Sequence, residues 1–403
     1  DFPDNKKGQR DLSGTHNKIG DVLRLQGDLR QALRSYQAGL IIVRGLASAD
    51  AANAVWQRDL AVSHERVGVV LVPMGKLARA PENFQASLTI RNLLAVTDPK
   101  NALWQRDLSV SHDRIGDVLR AQGHLQKTLP AYRESLNIRK RLAAADGDNR
   151  IGRRDLSVSH NKIGDVRRAQ GELSAALESY RAGLALIKGL TDLDATNVRW
   201  RRDLSVSHDR IGDVLRTQKN FAQALQSYRA ALEERQKLVA LDRNNAVGQR
   251  DLSVSHNKIA AVLRSQGALQ QALDSYRAGL AIVVRLAASD ARNTRWQRDV
   301  SFTHERIGDV LVDQTRVTRA LQSYRAGIVI RTRLAAADPD NADWQRDLAW
   351  SHWRLATQGD QPRFRWGQLV AILKALDRKG SLAAADRKWI PVAEKKLFQE
   401  SAQ

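Results

Sequence analysis

A histidine recurs every 48 residues through almost the whole chain, and this period limits the possible folds more than any other feature. The positions are His16, His64, His112, His160, His208, His256, His304 and His352. Similar residues surround each histidine, as in the third copy, where residues 104–119 read WQRDLSVSHDRIGDVL. No insertion or deletion breaks the register, so the chain consists of tandem copies of one repeat. Such a sequence predicts an array of similar modules, not a conventional globular domain.

Each repeat is predicted to form two α-helices. In the third repeat, Asn101 is a suitable N-cap for a helix over Ala102–Gln122, which Gly123 ends. A second amphipathic helix is predicted over Leu125–Ala145, because apolar residues recur there at steps of three and four. Neither helix can bury its apolar face alone, whereas stacked pairs bury all of them. No strand-like alternation is present, so the predicted class is all-α.

Small residues and rings at fixed positions give the chain a family resemblance. In the fifth repeat these positions hold His208, Ile211, Gly212, Leu215, Ala224 and Tyr228. Their spacing resembles the W-x2-L-G-x2-Y…A-x3-F pattern of the tetratricopeptide repeat family. The resemblance implies a right-handed superhelical solenoid of helix-turn-helix repeats. The chain differs from the pattern in its histidine at the first ring position and in its length, since 48 minus 34 leaves 14 extra residues, about four helical turns.

The repeats are predicted to occupy residues 1–358, as eight tandem copies of which the last is incomplete. Residues 359–403 leave the pattern and are predicted to form capping helices, one near Trp366 that Gly380 ends and one that runs towards Phe398. Such a cap would cover the last apolar face of the array. The chain also begins at a repeat boundary, from which we expect it to be a regulatory or sensor part of a larger protein.

Composition excludes several classes of function. The chain has no cysteine, so disulfides, thiol catalysis and cysteine-ligated zinc are ruled out, and a reducing, cytoplasmic location is expected. No run of 18 apolar residues is present, so no membrane span is predicted. The histidines fall one per repeat without converging ligands, so no metal and no other cofactor is expected.

The residue types of a nucleophilic triad recur in the repeats, for example as Asp107, Ser111 and His112. Adjacent residues on a helix point about 100° apart, and eight copies of a catalytic group along a rod have no evident use. We therefore predict no enzymatic activity. The histidine is instead expected to pack on the buried face, with one ring nitrogen bonded to a neighbouring helix.

An Arg-Asp pair precedes every histidine, as in Arg58-Asp59. Such regularity predicts a charge ladder in which the aspartate of one repeat meets the arginine of the next. Partly buried pairs of this kind fix register more than they add stability.

The net charge of +21 is the feature that structure alone does not explain. A base lies two residues after every histidine, and an arginine follows six residues later in five repeats. Asp117 and its equivalents stand three residues before four of these arginines and could pair with them locally. Helical-wheel arithmetic places Asp113, Asp117 and Arg120 opposite Ile115, on the face away from the second helix, with Arg114 on its flank.

In the tetratricopeptide repeat family that face lines the concave groove where partners bind. The resemblance therefore implies a partner-binding groove formed by Lys18, Arg24, Arg66, Arg114, Asp117, Arg120, Lys162, Arg168, Arg210, Arg216, Lys258, Arg264, Arg306 and Arg354. A merely solvated face of mixed charge is the alternative interpretation.

The predicted function is a protein-protein interaction scaffold that binds a protein or peptide, of acidic character, in this groove. Self-association is a second possible use of the array. The alternative function is phosphate-driven nucleic-acid binding by a basic helical-repeat surface, for which the isoelectric point near 10.6 is suitable. Base-by-base recognition is disfavoured, because the groove positions hardly vary between repeats and lack aromatic residues.

Overall fold

The computed structural model describes residues 5–402, and every regular element in that range is an α-helix. The helices are α1 (Lys6–Leu25), α2 (Leu29–Ala49), α3 (Ala54–Leu71), α4 (Ala80–Thr97), α5 (Ala102–Ala121), α6 (Leu125–Ala145), α7 (Arg150–Ala169), α8 (Leu173–Leu193), α9 (Val198–Thr217), α10 (Phe221–Leu241), α11 (Ala246–Ser265), α12 (Leu269–Ser289), α13 (Thr294–Asp313), α14 (Val317–Ala337), α15 (Ala342–Thr357), α16 (Pro362–Arg378), α17 (Ala384–Arg387) and α18 (Trp389–Ser401). The all-α helical-repeat prediction is confirmed.

The odd-numbered helices from α1 to α15 begin 48 residues apart, as the histidine period requires. The predicted second helix of the third repeat has the observed bounds, and its first helix ends one residue earlier than predicted, at Ala121. Asn101 is the N-cap of α5, where its side chain accepts a hydrogen bond from the Trp104 backbone N–H. Gly123 ends the pair's first helix with a φ of 81°, a conformation that glycine adopts without strain.

The chain divides into two compact halves, Asp1–Trp200 and Arg201–Gln403, each built from successive helix pairs. In the second half, α16 packs on α15 through Leu369, Leu373 and Trp366, which share a core with Ala349. The helix α17 supplies Asp386, which accepts a hydrogen bond from Arg346 of α15 at 2.5 Å. The assignment of residues 359–403 as a cap, and of residues 1–358 as eight repeats, stays a prediction.

A glycine lets the two helices of a pair enclose a tyrosine ring. A Cβ atom at Gly116 of α5 would lie 2.3 Å from the ring of Tyr132 in α6, which is almost fully buried. With the Tyr132 ring in this position, only glycine fits at residue 116. The same pairing joins Gly20 with Tyr36, Gly164 with Tyr180, Gly212 with Tyr228 and Gly308 with Tyr324.

Buried polar junctions of two kinds connect successive pairs. In the acid-arginine junction, the residue after the histidine pairs with an arginine of the second helix. Asp113 lies 2.9 Å from Arg139, which also donates to the Ser159 hydroxyl of the next pair at 2.6 Å. Both members of the ion pair are buried. The other junctions of this kind pair Glu65 with Arg91, Asp209 with Arg235 and Glu305 with Arg331.

In the asparagine junction, an amide replaces the acid and an aliphatic residue replaces the arginine. Asn17 donates to the Ser63 hydroxyl at 3.1 Å, and Val43 occupies the arginine position. The other two sets are Asn161 with Ile187 and Asn257 with Val283. From one repeat to another, the acid and the arginine are thus replaced together by two uncharged residues, because a buried charge without its partner is strongly destabilising.

Exchanging one junction for the other tests this coupling. We expect Asp113→Asn or Arg139→Ile alone to lower the free energy of unfolding by about 3–5 kcal/mol, since each leaves a buried charge unpaired. The combined variant Asp113→Asn, Ser135→Gly and Arg139→Ile reproduces the residues of the fourth repeat and should recover most of this loss. Urea denaturation measures all three variants, and a combined variant no more stable than the single ones would contradict the account.

Candidate interaction surface

Five of the bases two residues after a histidine, predicted to line a groove, lie against acids of the preceding repeat: Arg66, Arg114, Lys162, Lys258 and Arg354. Lys162 of α7 lies 2.5 Å from the Asp117 carboxylate of α5. Arg354 of α15 donates from Nε to Asp309 of α13 at 3.0 Å. Arg114 donates to Glu65 of the second repeat at 2.7 Å. These bases therefore connect successive repeats.

The same aspartates accept a hydrogen bond from the enclosed tyrosine. The Tyr132 hydroxyl donates to Asp117 at 2.6 Å, and burial, followed by this carboxylate, raises the tyrosine pKa. We call the three groups a tyrosine-aspartate-base cluster. The clusters are Tyr36 with Asp21 and Arg66, Tyr132 with Asp117 and Lys162, Tyr228 with Asp213 and Lys258, and Tyr324 with Asp309 and Arg354.

Two predictions about this face are wrong. Asp113 and Asp117 do not lie away from the second helix, because they bond to Arg139 and Tyr132 of α6. Nor does Asp117 pair with Arg120 three residues later, since Tyr132 and Lys162 both donate to its Oδ1 and its Oδ2 lies 3.8 Å from Arg114. A helical wheel describes one helix, whereas α5 also contacts the first helix of the following repeat.

The predicted groove residues thus fall into two groups. The bases paired with acids are Arg66, Arg114, Lys162, Lys258, Arg264, Arg306 and Arg354. The surface group consists mainly of the arginines eight residues after a histidine. Arg120, Arg168 and Arg216 are exposed and Arg24 is half-buried. Arg24, Arg120 and Arg216 lie beside the hydroxyls of Tyr36, Tyr132 and Tyr228.

The remaining predicted bases are Lys18 and Arg210. Lys18 of α1 is exposed, and no acid in the range 5–402 forms an ion pair with it. Arg210 of α9 is half-buried. Whether any of these residues binds a partner stays a prediction.

The charge ladder is present, but its direction is opposite to the predicted one. Arg106 donates to Asp155 of the next repeat at 2.7 Å, so the arginine precedes and the aspartate follows. The residues are 49 apart, one more than the repeat, because arginine stands one position before aspartate. The same contact joins Arg10 with Asp59, Arg58 with Asp107, Arg250 with Asp299 and Arg298 with Asp347.

The triad-like residues belong to these contacts between repeats. Asp107 accepts from Arg58, and the Ser111 hydroxyl accepts from Arg91 of α4 at 3.0 Å. In the part of the chain that the structure describes, no group of three or more histidine or acidic residues could hold a metal ion. None of the helices within residues 5–402 is both long and apolar enough to cross a membrane.

The repeated histidines are half-buried, with the exception of His352, and are not the interior residues that we expected. The serine that precedes a histidine is more deeply buried, as at Ser63, Ser111 and Ser159. The expected bond to a neighbouring helix is found at His64, whose Nδ1 lies 3.2 Å from the Asn83 side-chain oxygen. Burial lowers the pKa of His64, His112, His160, His256, His304 and His352.

His352 of α15 is the extreme case. Its ring packs edge-on against Phe364 of α16, and its buried Nδ1 has no hydrogen-bond partner among the described residues. Burial, followed by the nearby Arg365, lowers the pKa to about 4. The imidazole is therefore neutral at physiological pH.

The pH dependence of stability tests this environment. Between pH 6.5 and about 4 the unfolded chain binds a proton that folded His352 rejects, so stability is complete above pH 6.5 and falls as the solution is acidified. We expect the wild type to lose about 2 kcal/mol more than His352→Leu between pH 7 and pH 5. Urea denaturation at both pH values measures the difference, and equal losses would contradict the assignment.

The junction residues were not among the predicted functional residues. Asp113 and Arg139, for example, bond across the helix pair and to the next repeat. Their signal was present within the sequence, because each of the first seven repeats has either an acid together with an arginine or an asparagine together with an aliphatic residue at these two positions. Comparing the repeats position by position would have revealed this pairing.

Comparison with known proteins agrees with this architecture. Residues 207–238 match the family model of the tetratricopeptide repeat. The crystal structure of BtubC (BKLC) from P. vanneervenii is similar, with 17% identity over 64% of this chain and 92% of that chain and a TM-score of 0.52. The crystal structure of the apo form of RapI is also similar, with 11% identity over 96% of this chain and 99% of that chain and a TM-score of 0.56. At these identities the likeness concerns the fold alone. No curated protein matches the sequence significantly.

Proposed function

We propose that this tetratricopeptide repeat protein is a protein-interaction scaffold that binds an acidic peptide or protein segment through its repeated surface arginines. The binding residues are the surface bases Lys18, Arg24 and Arg120 in the first half of the chain and Arg216 in the second half. The remaining predicted groove residues act mainly by joining the repeats.

One observation carries this proposal. Most bases two residues after a histidine already contact carboxylates, as Lys162 contacts Asp117, whereas Arg120 and Arg216 lie on the surface. Arg120 and Arg216 are exposed and form no ion pair with any acid of residues 5–402. A ligand can reach them without breaking a contact between repeats.

The charge balance favours an acidic partner. The chain has 65 basic residues against 44 acidic ones, and many of the acids are engaged in the ladder, the junctions and the clusters. The uncompensated charge is therefore positive where the arginines are exposed. Exposed charges of this kind raise association rates and select partners of opposite sign.

Charge reversal at the surface arginines tests this proposal. We expect the triple variant Arg24→Glu, Arg120→Glu and Arg216→Glu to bind a fluorescent octaglutamate peptide at least about tenfold more weakly, because each removed pair contributes a few tenths to 1 kcal/mol. Fluorescence anisotropy measures the affinity and circular dichroism confirms unchanged helical content.

The control carries the same charge change on the second helices, at Arg133→Glu, Arg181→Glu and Arg229→Glu, all exposed positions. This variant should retain most of its affinity. Octaglutamine should not bind either protein. Equal losses in both triple variants would show that net charge alone, not the proposed arginines, determines binding.

Nucleic-acid binding is the competing function, and the same assay separates it. A labelled oligouridylate that binds more tightly than octaglutamate at physiological salt, and loses affinity steeply as salt rises, would favour phosphate-driven binding over the acidic-segment proposal. The regulatory or sensor role within a larger protein stays a prediction.

A further inference from the structure

The sixth repeat retains two members of the tyrosine-aspartate-base cluster and lacks the third. Tyr276 of α12 and Arg306 of α13 stand at the tyrosine and base positions, but Ala261 of α11 replaces the aspartate. Ala260 stands beside it, where most other repeats have glycine. A carboxylate present in five other repeats is therefore missing from this sequence position.

The next cluster shows what this aspartate would contact. Asp309 accepts hydrogen bonds from the Tyr324 hydroxyl at 2.9 Å and from Arg354 Nε at 3.0 Å. The corresponding donors of the sixth repeat are the Tyr276 hydroxyl and Arg306 Nε. The Arg306 Nε is buried without a partner, and no described residue accepts a hydrogen bond from Tyr276.

The missing aspartate is replaced only in part as a hydrogen-bond acceptor for Arg306. Its Nη1 donates to Asp309 on its own helix at 3.0 Å, which leaves Nε directed elsewhere. The surroundings of the Tyr276 hydroxyl are mainly cationic, with Arg306, Arg264 and Arg216 against Asp309. Burial raises the pKa of Tyr276, so the phenol keeps its proton and can donate at neutral pH.

The second repeat provides an internal comparison. There Val69 replaces the aspartate and Phe84 replaces the tyrosine, so no hydroxyl is left without an acceptor. The base of the third repeat, Arg114, bonds to Glu65 instead. In the second repeat the aspartate and the tyrosine are thus replaced together and the base has another acceptor. In the sixth repeat the aspartate is replaced, but the tyrosine and the arginine that would donate to it remain.

A pocket of about 670 Å³ opens at this point within the second half of the chain. Its lining includes Tyr276, Arg306, Ala261, Val254 and Phe302. The Phe302 ring is 40% exposed and lies 4.9 Å from the Arg306 guanidinium. The volume is in the range of small-ligand sites, which combine apolar walls with a few convergent polar groups.

The acids of the pocket wall are already paired. Asp213 contacts Lys258, Asp299 accepts from Arg250 and Asp313 accepts from Arg264. They therefore add little negative charge against an incoming anion. The unpaired donors, in contrast, are those that a carboxylate satisfies.

We propose that this pocket binds a small organic carboxylate, which accepts hydrogen bonds from the Tyr276 hydroxyl and Arg306 Nε in the place of the missing aspartate. The apolar body of the ligand packs against Phe302 and Val254. This site goes beyond the scaffold function, because it would make one junction of the array responsive to a metabolite-sized ligand.

Filling the site with the chain's own carboxylate tests the first part of the proposal. Ala261→Asp should raise the melting temperature, since the introduced carboxylate would accept from Tyr276 and Arg306, whereas Ala261→Asn, of equal volume, should raise it less. Ala260 narrows the space beside the Tyr276 ring, so the same comparison is repeated with glycine at this position. The double variant Ala260→Gly, Ala261→Asp is measured against the double variant Ala260→Gly, Ala261→Asn. If neither aspartate variant is more stable than its asparagine counterpart, the position does not favour a carboxylate and the proposal is overturned.

Direct binding tests the second part. The probes are acetate, benzoate and 3-phenylpropionate, with 3-phenylpropionamide as the uncharged match, measured by ligand-observed NMR and titration calorimetry. We expect the wild type to bind 3-phenylpropionate more tightly than acetate and not to bind the amide, and we expect Ala261→Asp to lose this binding. Absence of binding for all carboxylates at 20 mM, or binding that Ala261→Asp leaves unchanged, would overturn the proposal.

Octaglutamate separates a free small molecule from a side chain of a bound protein segment. If Ala261→Asp removes 3-phenylpropionate binding and leaves octaglutamate binding unchanged, the pocket is a small-molecule site independent of the arginine surface. If it removes octaglutamate binding and wild-type protein does not bind the small carboxylates, the small-molecule proposal fails while the scaffold proposal stands.

Discussion

Buried polar side chains whose partners lie in the neighbouring helix pair hold this array in register. Arg139 illustrates the principle, because it neutralises Asp113 within its pair and donates to Ser159 of the next. A slip or tilt between pairs would leave such groups buried without partners, which costs more than the contacts themselves contribute. Apolar burial favours stacking in general, whereas these junctions select one arrangement.

The basic charge of the chain is divided between two uses by the same geometry. Bases such as Lys162 lie between repeats and bond to Asp117, and the arginines six residues later, such as Arg120, lie on the surface. The first group makes each repeat dependent on its neighbour. The second group is available to a partner, which is the physical basis of the scaffold proposal. The sixth repeat keeps cluster donors without their acceptor, which is the basis of the proposed carboxylate site.

Much of the fold could be predicted because it follows from periodicity. The 48-residue interval, the Asn N-caps and the glycine that ends most of the first helices determine the helix pairs, and the predicted bounds of the third repeat differ from the observed ones by one residue. The helical wheel failed at Asp113 and Asp117, since it contains no information about the following repeat. The prediction of an interior histidine was wrong for a related reason. The histidine lies at the border between the buried side of its helix and the solvent, so it is half-buried.

The candidate site was predicted less well, because residue type does not show whether a charge is paired. Arg114 and Arg120 look equivalent in sequence, yet Arg114 bonds to Glu65 and Arg120 is exposed. The distinction depends on a residue of the preceding repeat, 49 positions away. Variation between the repeats contains this information, as the joint loss of aspartate and tyrosine at Val69 and Phe84 shows.

The central claim is that the bases beside the histidines join successive repeats. A double-mutant cycle on Asp117→Asn and Lys162→Met measures this directly, through the free energy of unfolding of the wild type, the two single variants and the double variant. The account predicts a coupling energy of about 1 kcal/mol or more, as contacting charged residues show. Additive effects of the two substitutions, within experimental error, would contradict it.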